Sequence, residues 1–351
     1  MGRVTSDSGA AERRDIVRSR INTFCKAAGV LGILSAGTVA MHAALTRNEK
    51  RRLKPPGRMI EVQGRMMHLL ASGTGGPTVL LETGASGYFG AWEWVQQQVA
   101  KHTRVVSYDR AGLGFSQSTP GKRDAATIVR ELDELLSLSG EKPPFILVGH
   151  SYGGLLVMEY AHQYPEKTAG LVLVDPSHPD QIDRNSELRK SMKNLRRFFH
   201  FASAASYFGV MRLTDMLSRM TEGLSDGERA RGRAFFASAR HLKSAARELD
   251  AWKETTEQTR SVHFGEVPLT ILSADEPQVS WVRDFQTMHE EMVGLSSRAA
   301  HHIIPGVEHL NLVTRLEHSV HVTRAILEVV EQIRSGKSSD KAPDRQIAAI
   351  A

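Results

Sequence analysis

The stretch that most constrains this chain is Phe145 to Gly154, Phe-Ile-Leu-Val-Gly-His-Ser-Tyr-Gly-Gly. An apolar run of strand length meets Gly149-His150-Ser151-Tyr152-Gly153, and Leu155, Leu156, Met158, Tyr160 and Ala161 then suit a helix. A serine caught between strand and helix sits on a strained turn. Glycines two residues to either side keep side chains out of the adjoining elements. In a chain with 29 glycines, Gly-x-Ser-x-Gly alone is a loose pattern, so the flanking strand and helix carry the weight. Together they predict that Ser151 stands exposed at the end of a sheet, above the N-terminus of a new helix, as a candidate nucleophile.

The elements around this turn repeat in a regular rhythm. Arg58 to Val62 and Arg65 to Ala71, joined at Gln63-Gly64, read as a hairpin, and Thr78 to Glu82 as a buried strand. Ala91 to Ala100 reads as a helix, Arg104 to Tyr108 as a strand, Ala125 to Ser139 as an amphipathic helix and Gly170 to Val174 as a further strand. Strands separated by helices imply a mostly parallel sheet covered on both faces. From about Asp180 to Val262 only helical patterns occur, a long excursion that reads as a cap over the site, packed largely on itself. Val267 to Ser273 resumes the sheet, Trp281 to Val293 is helical, His301 to Ile304 is the last strand and Leu316 to Ile333 the closing helix.

Three loops at the predicted sheet edge carry candidate chemistry. Thr83 to Gly87 follows an early strand, and acyl transfer needs backbone N–H groups aimed at the developing oxyanion. Ala85 and Tyr152, the residue after the nucleophile, are the expected donors. Asp109 and Arg110 open the glycine-rich run to Ser116 and are expected to bond loop backbone instead of taking part in chemistry. His309, in the loop after the last strand, is the candidate general base. Two carboxylates could orient it. Asp175 directly follows the sixth strand and is preferred; Asp275, after the seventh, is the alternative, in a loop whose freedom Pro277 limits.

At 351 residues with 41% hydrophobic side chains, the chain can bury a sizeable core. A net charge of +6 raises nucleic acid as a partner, but no basic run is interleaved with aromatics and no helix-turn-helix or zinc pattern occurs, so none is expected. Cys25 is the single cysteine, which excludes an intrachain disulfide and a cysteine-built metal site. Neither metal nor other cofactor is expected.

Much of the positive charge flanks Ala27 to Leu45, an uncharged run just long enough to cross a bilayer. A single-pass membrane anchor is the expectation, with a cleaved signal peptide or a soluble helix as alternatives. Arg13, Arg14, Arg18, Arg20 and Lys26 precede the run and Arg47, Lys50, Arg51, Arg52, Lys54 and Arg58 follow it, so charge leaves the face of the folded domain open. The chain then divides into a basic tail (1–26), the anchor (27–45), a linker (46–57), an α/β core (58–179 and 263–334), the helical cap (180–262) and a tail expected to be disordered (335–351).

Taken together, Gly149 to Gly153, Thr83 to Gly87, Asp109 to Ser116, Leu171 to Pro179 and Gly306 to His309 resemble the α/β-hydrolase superfamily, over about Arg58 to Ile333. The likeness extends to membrane-anchored serine hydrolases with a Pro-Pro-Gly exit from an apolar span. Thr83 departs from it, standing where many relatives carry histidine. The resemblance implies an α/β-hydrolase fold with a helical cap after the sixth strand, and hydrolysis of a carboxylic ester through an acyl-enzyme. Serine at the elbow disfavours epoxide hydrolysis and dehalogenation, for which aspartate is expected there. Carbon–carbon, amide and thioester hydrolysis and acyl transfer remain compatible, and a tethered module that binds without catalysis is the rival of another class.

Overall fold

The computed structural model describes residues 37–49, 51–214, 216–276 and 278–336. Cys25, Pro277, most of the expected terminal tail and residues 27–36 of the expected anchor lie outside these. A first helix, α1, covers residues 37–49. Among the described residues, no helix is long and apolar enough to cross a membrane.

Eight strands form one sheet in the order β1-β2-β4-β3-β5-β6-β7-β8. The hairpin of β1 (Arg58–Val62) and β2 (Arg65–Ser72) joins β4 (Val105–Tyr108) antiparallel. The remaining strands, β3 (Thr78–Glu82), β5 (Phe145–His150), β6 (Thr168–Val174), β7 (Leu269–Asp275) and β8 (Ala299–Pro305), pair parallel. Parallel neighbours need crossovers, and helices supply them. These are α2 (Glu93–Val99), α3 (Ala125–Ser139), α4 (Tyr152–Gln163) and, after the insertion, α11 (Val282–Glu291); the short α12 (Asn311–Thr314) and α13 (Leu316–Ser335) follow β8. Asp124 caps α3 by accepting from the Thr127 N–H at 2.8 Å.

Central strands are apolar on both sides because both faces are covered. Leu80, Leu147, Leu171 and Leu173 point to a core shared with Ile128 and Leu132 of α3 and Leu155 and Leu156 of α4. Val79, Ile146, Val148 and Val172 point the other way, onto Val95 and Val99 of α2 and Val322, Ile326 and Val329 of α13. The two-residue period of each strand thus feeds two separate cores.

Between β6 and β7 lies an all-helical insertion, the excursion expected from the sequence: α5 (Gln181–Arg184), α6 (Ser186–Ser206), α7 (Val210–Thr214), α8 (Asp226–Phe236), α9 (Ala239–Asp250) and α10 (Trp252–Thr259). It is bonded to the core at several points. Arg240 donates to the carbonyls of Gly112 at 3.3 Å and Gly114 at 2.5 Å, Arg247 to that of Pro120 at 2.7 Å, and the Tyr88 hydroxyl to that of Glu228 at 2.7 Å. Helix α1 rests on the same insertion, with Arg212 paired to both carboxylate oxygens of Glu49.

Candidate active site

At the end of β5 the backbone turns sharply into α4, and Ser151 occupies the turn at φ 55° and ψ −123°. A non-glycine residue held there stores on the order of 1–3 kcal/mol, so neighbouring contacts must over-determine it. They do. Its N–H donates to the Val174 carbonyl at 3.0 Å, and its own carbonyl accepts from Ser177 N–H at 2.9 Å. A β-carbon on Gly149 would stand 2.5 Å from the Gly153 carbonyl oxygen, and one on Gly153 would stand 2.6 Å from that of Glu82. Only glycine fits either place. Tyr152 begins α4, where N–H groups lack intrahelical acceptors, so its amide is available next to the serine.

The loop after β8 brings His309 to the same edge. Its Nδ1 makes a short hydrogen bond to Asp175 Oδ2, while Asp175 Oδ1 accepts from Ala274 N–H at 2.9 Å. Asp175 itself is held at φ 42°, directly after β6. Burial alone would raise its carboxyl, but the His309 bond and charge outweigh this and hold it down to about 2. Burial would lower His309, yet the Asp175 carboxylate wins and raises it above 6.5. The structure therefore pairs Asp175, not Asp275, with His309. Asp275 ends β7, with Gln286 Nε2 3.4 Å from its Oδ1. The neighbouring Glu276 accepts from the His309 backbone N–H.

His150 packs against His309. Its Nε2 donates to the His309 carbonyl at 3.1 Å, and the two rings lie 4.6 Å apart. Burial, and then the charge of His309, push its pKa down to about 3, so it stays neutral. Next to Asp175 a directional chain fixes the backbone: His301 Nε2 to Ser273 Oγ at 2.7 Å, Ser273 to His289 Nδ1 at 2.6 Å, and His289 Nε2 to the Pro176 carbonyl at 2.7 Å. The carbonyl can only accept, which sets each donor in turn.

The loop at Thr83 to Gly87 closes over the serine; a β-carbon on Gly84 would lie 3.2 Å from that of Ser151. Buried Arg110 holds this loop, donating to the carbonyls of Thr83 at 2.7 Å and Gly84 at 2.9 Å and to Thr83 Oγ1 at 3.1 Å. Because a trans peptide points its N–H opposite its C=O, tying the Gly84 carbonyl to Arg110 turns the Ala85 N–H away from the arginine. Ala85, Ser151 and His309 line one cavity of about 260 Å³, walled by Trp92, Phe199, Leu217, Met220, Phe236 and Val313. Ala85, Tyr152, Ser151, His309 and Asp175 thus converge, an arrangement able to carry an acyl group between a serine and water.

Asp109 bonds loop backbone as expected, accepting from Phe89 and Phe115 N–H, each at 2.9 Å. Two partners supplied by the insertion were not foreseen. Glu248 of α9 grips Arg110 with both oxygens at 2.8 Å, and His241 of α9 accepts from Gly114 N–H at 3.0 Å while its Nε2 donates to the Ser86 carbonyl at 2.9 Å. Their one signal in the sequence is position: seven residues apart, they interrupt the apolar stripe of Leu242, Ala245 and Leu249. Among the described residues, no group of His, Cys, Asp and Glu could hold a metal ion.

A strand-ended serine elbow, a histidine from the loop after the last strand and a helical insertion between β6 and β7 define the class. The chain belongs to the α/β hydrolase family, whose model matches residues 69–328. Among curated relatives, YqjL of Bacillus subtilis is 26% identical over 251 residues, covering 68% of this chain and 83% of that protein. The 2-hydroxy-6-oxo-2,4-heptadienoate hydrolase of Pseudomonas putida is 31% identical over 157 residues, 41% of this chain and 55% of that protein. YbdG of Bacillus subtilis is 28% identical over 160 residues, and the chain spans only 49% of its length. A thermophilic esterase from Thermogutta terrifontis shares the fold at a TM-score of 0.60 and 21% identity, covering 79% of this chain and 98% of that one. The epoxide hydrolase CorEH does so at 0.62 and 18%, covering 79% and 99%.

Proposed function

We propose that the protein is a serine hydrolase that cleaves a carboxylic ester through an acyl-enzyme, tethered to a membrane by residues 27–45. The observation that carries this reading is one cavity that holds both a positive-φ serine and a histidine whose Nδ1 is bonded to a buried, ionised aspartate. Ser151 Oγ attacks the ester carbonyl as His309 Nε2 takes its proton, and Asp175 steadies the imidazolium through Nδ1–H. The N–H groups of Ala85 and Tyr152 meet the oxyanion. His309 then gives its proton to the departing alkoxide. Water, deprotonated by the same nitrogen, attacks the acyl carbon and returns Ser151 with the free acid.

The apolar wall of Phe199, Leu217, Met220 and Phe236 suits an apolar acyl group, with the helical insertion serving as the cap. A cavity of about 260 Å³ favours a compact one, since pockets for drug-sized ligands span roughly 300–1,000 Å³. The Pseudomonas putida relative supports a second reading on the same residues, hydrolysis of a carbon–carbon bond beside a ketone. A panel of p-nitrophenyl esters of increasing chain length, run beside a vinylogous β-diketone acid, separates the two. We expect ester turnover that Ser151→Ala abolishes with the fold intact; turnover of the diketone acid alone would move the assignment to the second reading.

A further inference from the structure

Twelve large apolar side chains are exposed among the described residues, and eight of them fall on two touching segments. Five belong to the insertion: Phe201 (61%), Tyr207 (60%), Phe208 (54%), Leu213 (69%) and Met216 (52%). Val39, Met41 and Leu45 of α1 are the other three. The segments meet where Arg212 pairs with Glu49, and the His42 side chain comes 3.4 Å from where a β-carbon on Gly209 would stand. So concentrated an apolar face calls for an occupant.

Charge identifies it. Along α6, Lys190, Lys193, Arg197 and Phe201 follow at spacings of three, four and four, so they form one exposed stripe that runs from cations to an aromatic tip. Exposed Arg51, Arg52 and Lys54 follow α1. Apolar and aromatic groups rimmed by cations are what an anionic lipid surface binds. Residues 37–45 of the uncharged run 27–45 belong to α1 and so lie on this same face. The inner sides of the same segments, Leu195 and Phe199 of α6 with Leu217 and Met220 beyond α7, wall the cavity that holds Ser151.

We infer that the insertion seats on an anionic bilayer, with Phe201, Tyr207, Phe208 and Leu213 at the headgroup–acyl boundary and the Lys190 to Arg197 stripe against lipid phosphates. The cavity roof then lies on lipid, and, resting on the hydrolase reading above, the substrate is an ester dissolved in that bilayer. The tether alone does not do this: it fixes the domain near the membrane, whereas the exposed face fixes which side looks down.

The test uses the full chain in a Cys25→Ser background, with Phe208→Cys, Leu213→Cys or, as control on α3, the exposed Leu138→Cys, each carrying an environment-sensitive fluorophore. The proteins are reconstituted into vesicles of equal parts phosphatidylcholine and phosphatidylglycerol. Labels at 208 and 213 are expected to be quenched by doxyl-labelled lipid and shielded from iodide by about tenfold relative to 138, and the shielding to weaken in K190E/K193E/R197E. Iodide access at 208 and 213 equal to that at 138 overturns the proposal. So does shielding that persists without lipid, which would mark a second copy or residues 27–36 as the occupant. Labelling requires no turnover, so its result is independent of whether the hydrolase reading stands. As the substrate arm, F208S/L213S is expected to slow hydrolysis of a vesicle-borne ester about tenfold and leave a soluble ester unaffected. Equal rates on the vesicle-borne ester would overturn delivery from the bilayer.

Discussion

Arg110 and Glu248 face each other as a buried bidentate pair, Nε to Oε1 and Nη2 to Oε2, both at 2.8 Å. One residue belongs to the core and the other to the helical insertion, and the same guanidinium holds the carbonyls of Thr83 and Gly84. The insertion therefore sets the loop that carries Ala85.

Removing half of this pair should damage stability and rate together. Breaking a buried pair costs about 3–5 kcal/mol because the remaining charge stays buried, although Glu82 Oε1 still lies 2.5 Å from Arg110 Nη1 and softens the loss. Glu248→Ala is expected to lower the urea midpoint and to cut kcat by roughly 10- to 100-fold through a displaced oxyanion loop. A variant as stable and fast as the parent would show that the insertion does not position the loop.

Asp175→Asn should reduce kcat by about ten-thousandfold, since asparagine favours the wrong tautomer of His309. Asp275→Asn, whose carboxylate lies nearer Gln286, should remain within a few-fold of the parent. Steady-state kinetics on a soluble ester reads both. The reverse order would return the acid to the loop after β7.

The pH profile follows from the raised pKa of His309. A base must be neutral to act, so kcat/KM should fall as pH drops through a single limb whose midpoint lies above 6.5. In Asp175→Asn the raising charge is gone, and the limb of the residual activity should move to lower pH. An unmoved limb would detach the titrating group from Asp175.

Acid should also unfold the chain early. His241 and His289 titrate at about 4 when folded, chiefly because burial penalises their charged forms, against 6.5 unfolded. Between those values the unfolded chain takes up protons that the folded one refuses, so stability falls as pH drops from 6.5 toward 4. His241→Gln should flatten this slope in urea melts taken at neutral pH and at pH about 5. An unchanged slope would mean that His241 is already charged in the fold.

Much of this fold is legible from local patterns. Thr78 to Glu82 and Ala125 to Ser139 form the elements expected of them because a doubly covered strand and an amphipathic helix each carry a distinct period. Thr168 and Ala169 extend β6 beyond the expected Gly170: Thr168 pairs with Phe145 of β5 across a register shift that passes over Ala169, an irregularity that local pattern does not announce. Ser151 and His309 are readable because each is tied to the end of a strand. Which of Asp175 and Asp275 reaches His309 depends on how far two adjacent strand ends stand from one loop, which spacing along the chain does not encode. Glu248 and His241 escape for the same reason: their partners, Arg110 and Ser86, lie 138 and 155 residues away.

The central claim is that Ser151 becomes acylated. Full-length protein and Ser151→Ala should be treated with a fluorophosphonate, digested and mapped by mass spectrometry. One adduct per chain on the peptide containing Ser151, absent from the variant and blocked by prior incubation with a substrate ester, is the predicted result. Folded protein that takes up no label, or takes it up at another serine, would contradict the account.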